Sequence, residues 1–243
     1  MPTARLELEY DGTDFAGWSA QPGLRTVQGE VERALATILR ADVALTVAGR
    51  TDRGVHAWGQ VASFQGPPAE PPDARALNAV LPGDIAVLAC AAAPDGFDAR
   101  RSARSRTYCY RVLARTAPSP FERGRALHWP YRVDRDVLDA CARALAGEHD
   151  FTAFTPTETD HVRFRRVVLE AAWRDGADDV LEFWIEADAF MRQMNRVLVG
   201  TMLEVAEARR TPESFTALLQ GAHRREAGVT APPHGLYLAR VAY

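Results

Sequence analysis

The sequence predicts an α+β fold built from two β-α-β-β-α-β units, and three observations carry that prediction. Strand-period and helix-period segments follow one another in that order twice along the chain. Each half holds about 100 to 140 residues, an ordinary domain size. The hydrophobic fraction of 47% and the charged fraction of 25% are those of a folded globular chain.

In the first half, Leu6, Leu8 and Tyr10 alternate with Arg5, Glu7 and Glu9, the pattern of a strand with one wet face. Val27, Val31, Ala34, Leu35, Ile38 and Leu39 recur at helical spacing, and Thr26 stands where an N-cap belongs. Val43 to Val47 alternates again as a strand, and a second strand runs from Gln60 to Phe64. Gly66 to Pro72 ("GPPAEPP") reads as a loop, Asp73 to Val80 as a short helix and Ile85 to Ala91 as a strand.

The second half opens with a strand from Arg106 to Ala114 and a proline-rich connection, Thr116 to Gly124. A helix follows at Val137 to Leu145, then a hairpin of Arg166 to Trp173 and Val180 to Ala187 around "DGADD". Phe190 to Ala206 is amphipathic, with Phe190, Met194, Val197, Leu198, Thr201 and Val205 on one face. A shorter helix, Pro212 to Leu219, and a closing strand, Leu236 to Tyr243, complete the pattern with one helix to spare. The two domains are placed at 1–103 and 104–243.

Composition narrows the function classes. No apolar run approaches the ~20 residues that span a bilayer. The polar opening (Arg5, Glu7, Glu9, Asp11) is unlike a signal peptide, so the chain reads as soluble and cytoplasmic, without a membrane partner. Cys90, Cys109 and Cys141 stand far apart, which speaks against a disulfide framework or a zinc site. The net charge is -3, and all 29 basic residues are arginine. Arg100, Arg101, Arg104 and Arg106 cluster, as do Arg163, Arg165 and Arg166. Such clusters suit a local phosphate-binding face, and equally a solvated edge paired with acids.

The stretch "VAGRTDRGVHAWGQVASF" (Val47 to Phe64) places Arg50, Asp52, Arg53 and His56 between two apolar flanks. Gly49 and Gly54 permit a tight backbone there. Arginines beside Asp52 favour its ionised form, which suits a nucleophile or an electrostatic stabiliser better than a proton donor. Taken alone, the loop is open to three readings: a turn with a capping aspartate, a metal site shared with His56, or a catalytic loop. His149-Asp150 is a second histidine-acid pair, read as a loop dipeptide after a helix. Tyr108 and Tyr110 fall on one side of their strand among arginines, placed either to stack on a base or to pack in the sheet.

Six stretches then show a family likeness: Tyr10 to Leu35 ("YDGTDFAGWSAQPGLRTVQGEVERAL"), "AGRTDRGVHAWGQVASF", "LPGDIAV", "DARRSARSRTYCY", "EADAFMRQMNRVLVGTMLEV" and "TAPPHGLYLARVAY". In that order, and over nearly the whole chain, they resemble the tRNA pseudouridine synthase A family. The resemblance implies isomerisation of uridine to pseudouridine at positions 38, 39 and 40 of the tRNA anticodon arm, by a homodimer needing no metal and no cofactor. It implies two ferredoxin-like or RRM-like units sharing a continuous, mostly antiparallel sheet, with helices on one face and an RNA-binding cleft on the other. By the same resemblance Asp52 is the nucleophile, carried by the N-terminal domain, and the C-terminal domain completes the cleft. Arg50 displaces the flipped base, Tyr108 stacks on the target uracil, Arg196 pairs with the catalytic acid, and Leu236 lines the pocket. Asp98, Arg101, Gln193 and Asn195 depart from the family's usual residues. The competing classes are a catalytically inactive RNA-binding protein on the same scaffold and a metal-dependent hydrolase using Asp52, His56 and His149.

Overall fold

The computed structural model describes residues 2–66, 70–159 and 161–243. Of the loop expected at Gly66 to Pro72, residues 67–69 lie outside the described residues. In chain order the elements are β1 (Thr3–Tyr10), α1 (Val27–Leu39), β2 (Thr46–Val47), β3 (His56–Gln65), α2 (Ala74–Asn78) and β4 (Ile85–Ala93). There follow β5 (Ser105–Leu113), β6 (Leu127–His128), α3 (Arg135–Ala144), β7 (Gly147–Asp150), β8 (Arg165–Asp175), β9 (Val180–Ala187), α4 (Met194–Ala206), α5 (Pro212–Leu218) and β10 (Leu236–Ala242). The chain divides into two compact units, Met1–Arg104 with Tyr237–Tyr243, and Ser105–Leu236.

The first unit is organised on β1, which pairs antiparallel with β3 on one side and β4 on the other. Its alternating pattern buries Ala4, Leu6, Leu8 and Tyr10 and turns Arg5, Glu7 and Glu9 outward. Helix α1 starts where its sequence says it does: the Thr26 hydroxyl accepts the Gly29 N–H at 3.2 Å, and Glu30 sits in the positive first turn. Its stripe of Val27, Val31, Ala34 and Leu35 is buried. Fully buried leucines such as Leu6, Leu8, Leu35 and Leu77 each contribute about 1.5–3 kcal/mol of transfer free energy. Arg40 ends α1 in the left-handed conformation at φ 55°.

Three features of this unit differ from the sequence pattern. The strand expected from Val43 to Val47 is reduced to Thr46–Val47. Strand β3 begins at His56, four residues before the expected Gln60. The closing strand β10, expected to complete the second half, belongs to the first unit from Tyr237 onward, where Tyr237 and Leu238 pair in parallel with His56 and Ala57. That partner pairs with His56 and Ala57 at the start of β3, and no local pattern announces it. Gly59 leaves room for the same strand, since a Cβ there would press on the Ala239 carbonyl at 2.5 Å.

In the second unit β5, β9, β8 and β7 pair antiparallel in that order, and β6 adds to β5 in parallel. Helix α3 packs on β8 and α4, α4 packs on β5, and α5 packs on α3 and α4. The β8–β9 hairpin turns through Asp178 and Asp179, both left-handed at φ 55° and 62°, a conformation that aspartate tolerates. Strand pairing is therefore mostly antiparallel in both units, as the α+β reading expects. Residues 147–150, read as a loop at His149-Asp150, instead form β7, because Gly147 to Asp150 find partners in Val168 to Arg165. Helix α4 starts at Met194 rather than Phe190: Gln193 is left-handed at φ 60° and breaks the turn. It is also not amphipathic in its setting, for every α4 residue except Arg196 is buried.

Candidate active site

The loop between β2 and β3 holds the residues that the sequence marks most strongly. Its chain leaves β2 through Ala48, whose N–H donates to Val61 O at 2.9 Å. Arg50 and Arg53 are exposed, Asp52 is half-buried, and Thr51 between them is buried. A tight turn closes on Asp52, with the Val55 N–H donating to the Asp52 carbonyl at 3.1 Å. Gly54, at φ 75°, takes the position in that turn that L side chains rarely adopt.

Both neighbours of Arg50 are pinned from below. The Tyr10 and Thr51 hydroxyls lie 2.8 Å apart, and the Gln60 amide donates to Tyr10 Oη at 3.2 Å and to the Gly49 carbonyl at 2.8 Å. Burial pushes the Tyr10 phenol up to about 12, against the smaller opposing pull of its Thr51 and Gln60 hydrogen bonds. It is a neutral hydroxyl at any working pH. A buried network with all members satisfied fixes one arrangement of the backbone it holds.

The segment following β1 closes the loop from a third side. The Trp18 N–H donates to the Thr51 carbonyl at 3.0 Å. Gly17, at φ 108°, lies so near that a Cβ would stand 2.9 Å from the Thr51 carbonyl and 3.2 Å from the Arg53 nitrogen. Gly12 is equally tight: a Cβ there would collide with the Val55 carbonyl. Its N–H donates to His56 Nδ1 at 3.0 Å, and Asp11 Oδ1 lies 3.2 Å from the same nitrogen. His56 is buried and stacks on Tyr237 with ring centroids 4.6 Å apart. Its bonded nitrogen thus braces the loop. Among the described residues no group of three or more His, Cys, Asp or Glu side chains is placed to hold a metal ion.

The remaining residues singled out by the sequence belong to the second unit. Tyr108 is buried on the face of β5 that also carries Tyr110, beside Ile185 and Phe183 of β9. Its ring meets Phe190 edge-on at 4.9 Å. Tyr110 donates from its hydroxyl to the Pro232 carbonyl at 2.7 Å, and Gly235 leaves no room for a Cβ against its ring. Burial raises the Tyr110 phenol, with the charge of Arg196 pulling the other way. Arg196 Nε donates to the Ala231 carbonyl at 2.7 Å. Leu236 is buried and opens β10.

The arginine clusters divide. Arg100, Arg101 and Arg104 are exposed at the end of the first unit, where the Asp98 carboxylate accepts the Arg100 and Arg101 N–H groups at 2.9 and 2.7 Å. Arg104 is also tied to the Tyr243 carbonyl. In the second unit Arg165 pairs with Glu148 at 2.7 Å. Arg166 is partly buried, which lowers its basicity, and it donates to the carbonyls of Arg163 and Arg165. Sequence reading missed Tyr10, Thr51, Gln60 and Gly17 as loop supports. The only local signal was that Tyr10, Gly17, Thr51 and Gln60 lie inside the motif stretches themselves.

Comparison with known proteins matches the family described as "tRNA pseudouridine synthase" over residues 8–100 and 141–243. A "tRNA pseudouridine synthase A" of Frankia casuarinae is 46% identical over 244 residues, covering 98% of this chain and 88% of its own length. Proteins of the same name from Bacillus pumilus and Bacillus subtilis are 41% and 40% identical, each covering 98% of both chains. Among solved structures, a chain of a Cbf5-Nop10-Gar1 complex aligns with 97% of this chain and 58% of its own, at a TM-score of 0.41 and 10% identity.

Proposed function

The chain belongs to the tRNA pseudouridine synthase family, and from that premise we propose that it isomerises uridines 38, 39 and 40 of the tRNA anticodon arm with Asp52 as nucleophile. The observation that carries the assignment of Asp52 is the loop itself. Tyr10, Gln60, Trp18 and Gly17 hold the backbone on both sides of a half-buried carboxylate, while the flanking arginines stay exposed. A nucleophile needs that combination: a rigid backbone, access to substrate and nearby positive charge.

The reaction breaks the N1–C1′ bond, turns the uracil, joins C5 to C1′ and releases the proton from C5. It needs no redox partner and no nucleotide triphosphate. Taking the base out of its stack costs a few kcal/mol. In this proposal Arg50 fills the vacated space, Tyr108 supports the uracil, and Arg196 keeps the catalytic acid ionised. Leu236 contributes apolar pocket wall. The enzyme works in the cytoplasm as a homodimer on tRNA, with no cofactor and no metal.

The test is tritium release from tRNA labelled at uracil C5. Wild type releases tritium with or without EDTA, and Asp52→Asn releases none. Equal release from both proteins would remove Asp52 from the chemistry. Transcripts carrying a single uridine at 38, 39 or 40 test the positions one by one.

A further inference from the structure

Helix α4 carries a second device, built where the segment Ala227–Ala231 runs along it. Arg196, Gly200 and Glu204 stand four residues apart, so one face of the helix meets that segment. The Ala231 N–H donates to the Arg196 carbonyl at 3.0 Å, and the Ala231 carbonyl accepts from Arg196 Nε at 2.7 Å. The Gly228 N–H donates to Thr201 Oγ1 at 3.0 Å, while that hydroxyl donates to the Val197 carbonyl at 2.7 Å. The Val229 N–H donates to Glu204 Oε1 at 3.0 Å, and Arg210 Nε donates to Glu204 Oε2 at 2.5 Å. Gly200 makes the approach possible, because a Cβ there would collide with the Val229 carbonyl.

This ladder has a direction. Thr201 is fully buried, Glu204 nearly so, and both hold the segment rigidly at one end. At the other end the Ala231 carbonyl grips the guanidinium of Arg196, the one α4 residue that is not buried. A planar guanidinium held at Nε has its plane set, which decides where its two terminal nitrogens point. We propose that Thr201 and Glu204 are positioning residues for the isomerisation: through the Gly228–Ala231 segment they aim Arg196. The proposal rests on the role given to Arg196 above.

Single-turnover tritium release and tRNA binding, measured side by side, test it. Thr201→Val keeps the shape and removes the hydroxyl; its isomerisation slows about tenfold with tRNA affinity within about twofold of wild type. Thr201→Ser restores the rate, and Glu204→Gln keeps most of it because the amide oxygen still accepts the Val229 N–H. Glu204→Ala slows the reaction as Thr201→Val does, and serves in its place if Thr201→Val folds poorly. In an Arg196→Lys background, which lacks the Nε fork, neither change slows the reaction further. An equal slowing in that background, or no rescue by serine, would overturn the ladder while leaving Arg196 its role. Full activity of Arg196→Ala would overturn the role of Arg196 and the ladder with it.

Discussion

The hydroxyl of Tyr10 lies 2.8 Å from that of Thr51, and both residues are buried, so the end of the first strand is bolted to the residue before Asp52. Tyr10→Phe removes the bolt and leaves the Thr51 hydroxyl without this partner. The expected loss is about 1 kcal/mol of stability, read from a urea transition. Isomerisation falls about tenfold with tRNA affinity unchanged, since the backbone beside Asp52 gains freedom. A variant that lost affinity and kept its rate would show that the network serves binding instead.

Gly17 tests the same loop from the other side. At φ 108° and with the Thr51 carbonyl 2.9 Å from any Cβ, Gly17→Ala is strained and pushes the loop. The expected cost is about 1–3 kcal/mol with most activity lost. Gly23 has a positive φ of 73° and nothing within 4 Å of a Cβ, so Gly23→Ala costs only about 1 kcal/mol and leaves activity near wild type. Thermal melts and tritium release on the two variants separate backbone strain from displacement of the loop.

The exposed Arg101 stands in an arginine cluster at the end of the first unit. Arg101→Gln is expected to weaken tRNA binding and to reduce the slope of log K against log salt by about 1, with the single-turnover rate unchanged at saturating tRNA. Binding titrations at three salt concentrations measure this. An unchanged slope would remove Arg101 from the phosphate contacts.

Glu204 ties stability to pH. Burial raises its carboxyl, but the Val229 N–H and Arg210 outweigh that effect and hold it below the ordinary value of 4.5. A folded-state value below the unfolded one means that the contribution is complete above about pH 4.5 and is lost as pH falls through the folded value. The difference in melting temperature between wild type and Glu204→Gln should therefore be constant from pH 6 to 8 and shrink on acidification. A difference that grew on acidification would contradict the sign.

The thiols are expected to be quiet. Burial pushes Cys90 and Cys141 up to about 11 and raises Cys109 as well. Native protein at pH 7.5 should resist iodoacetamide at all three positions, and urea-unfolded protein should take three labels, as mass spectrometry would show.

Much of the fold is legible in the sequence itself. Alternation at Leu6, Leu8 and Tyr10 marks the buried face of β1, and the Thr26 cap with its following stripe marks α1, because those signals are local. The glycine-flanked loop with Asp52 was legible because charge between two apolar strands is unusual. Helix α4 departs from the amphipathic pattern for a physical reason. Arg196 and Glu204 on its polar side bond to the 227–231 segment that covers them, and a helical wheel cannot show a partner that arrives later in the chain.

By itself, then, the sequence determined most of the strands and helices and most of the faces that avoid water, and it marked the loop that we propose carries the chemistry. Period and composition are properties of neighbouring residues, and they suffice for that. Only the tertiary structure decided that β10 returns to pair with His56 and Ala57, that Tyr10 reaches Thr51 across 41 residues, and that Ala231 grips Arg196 across 35. Each of these depends on where a distant segment is brought by packing, and a hydrogen-bonding side chain has no periodicity that names its partner.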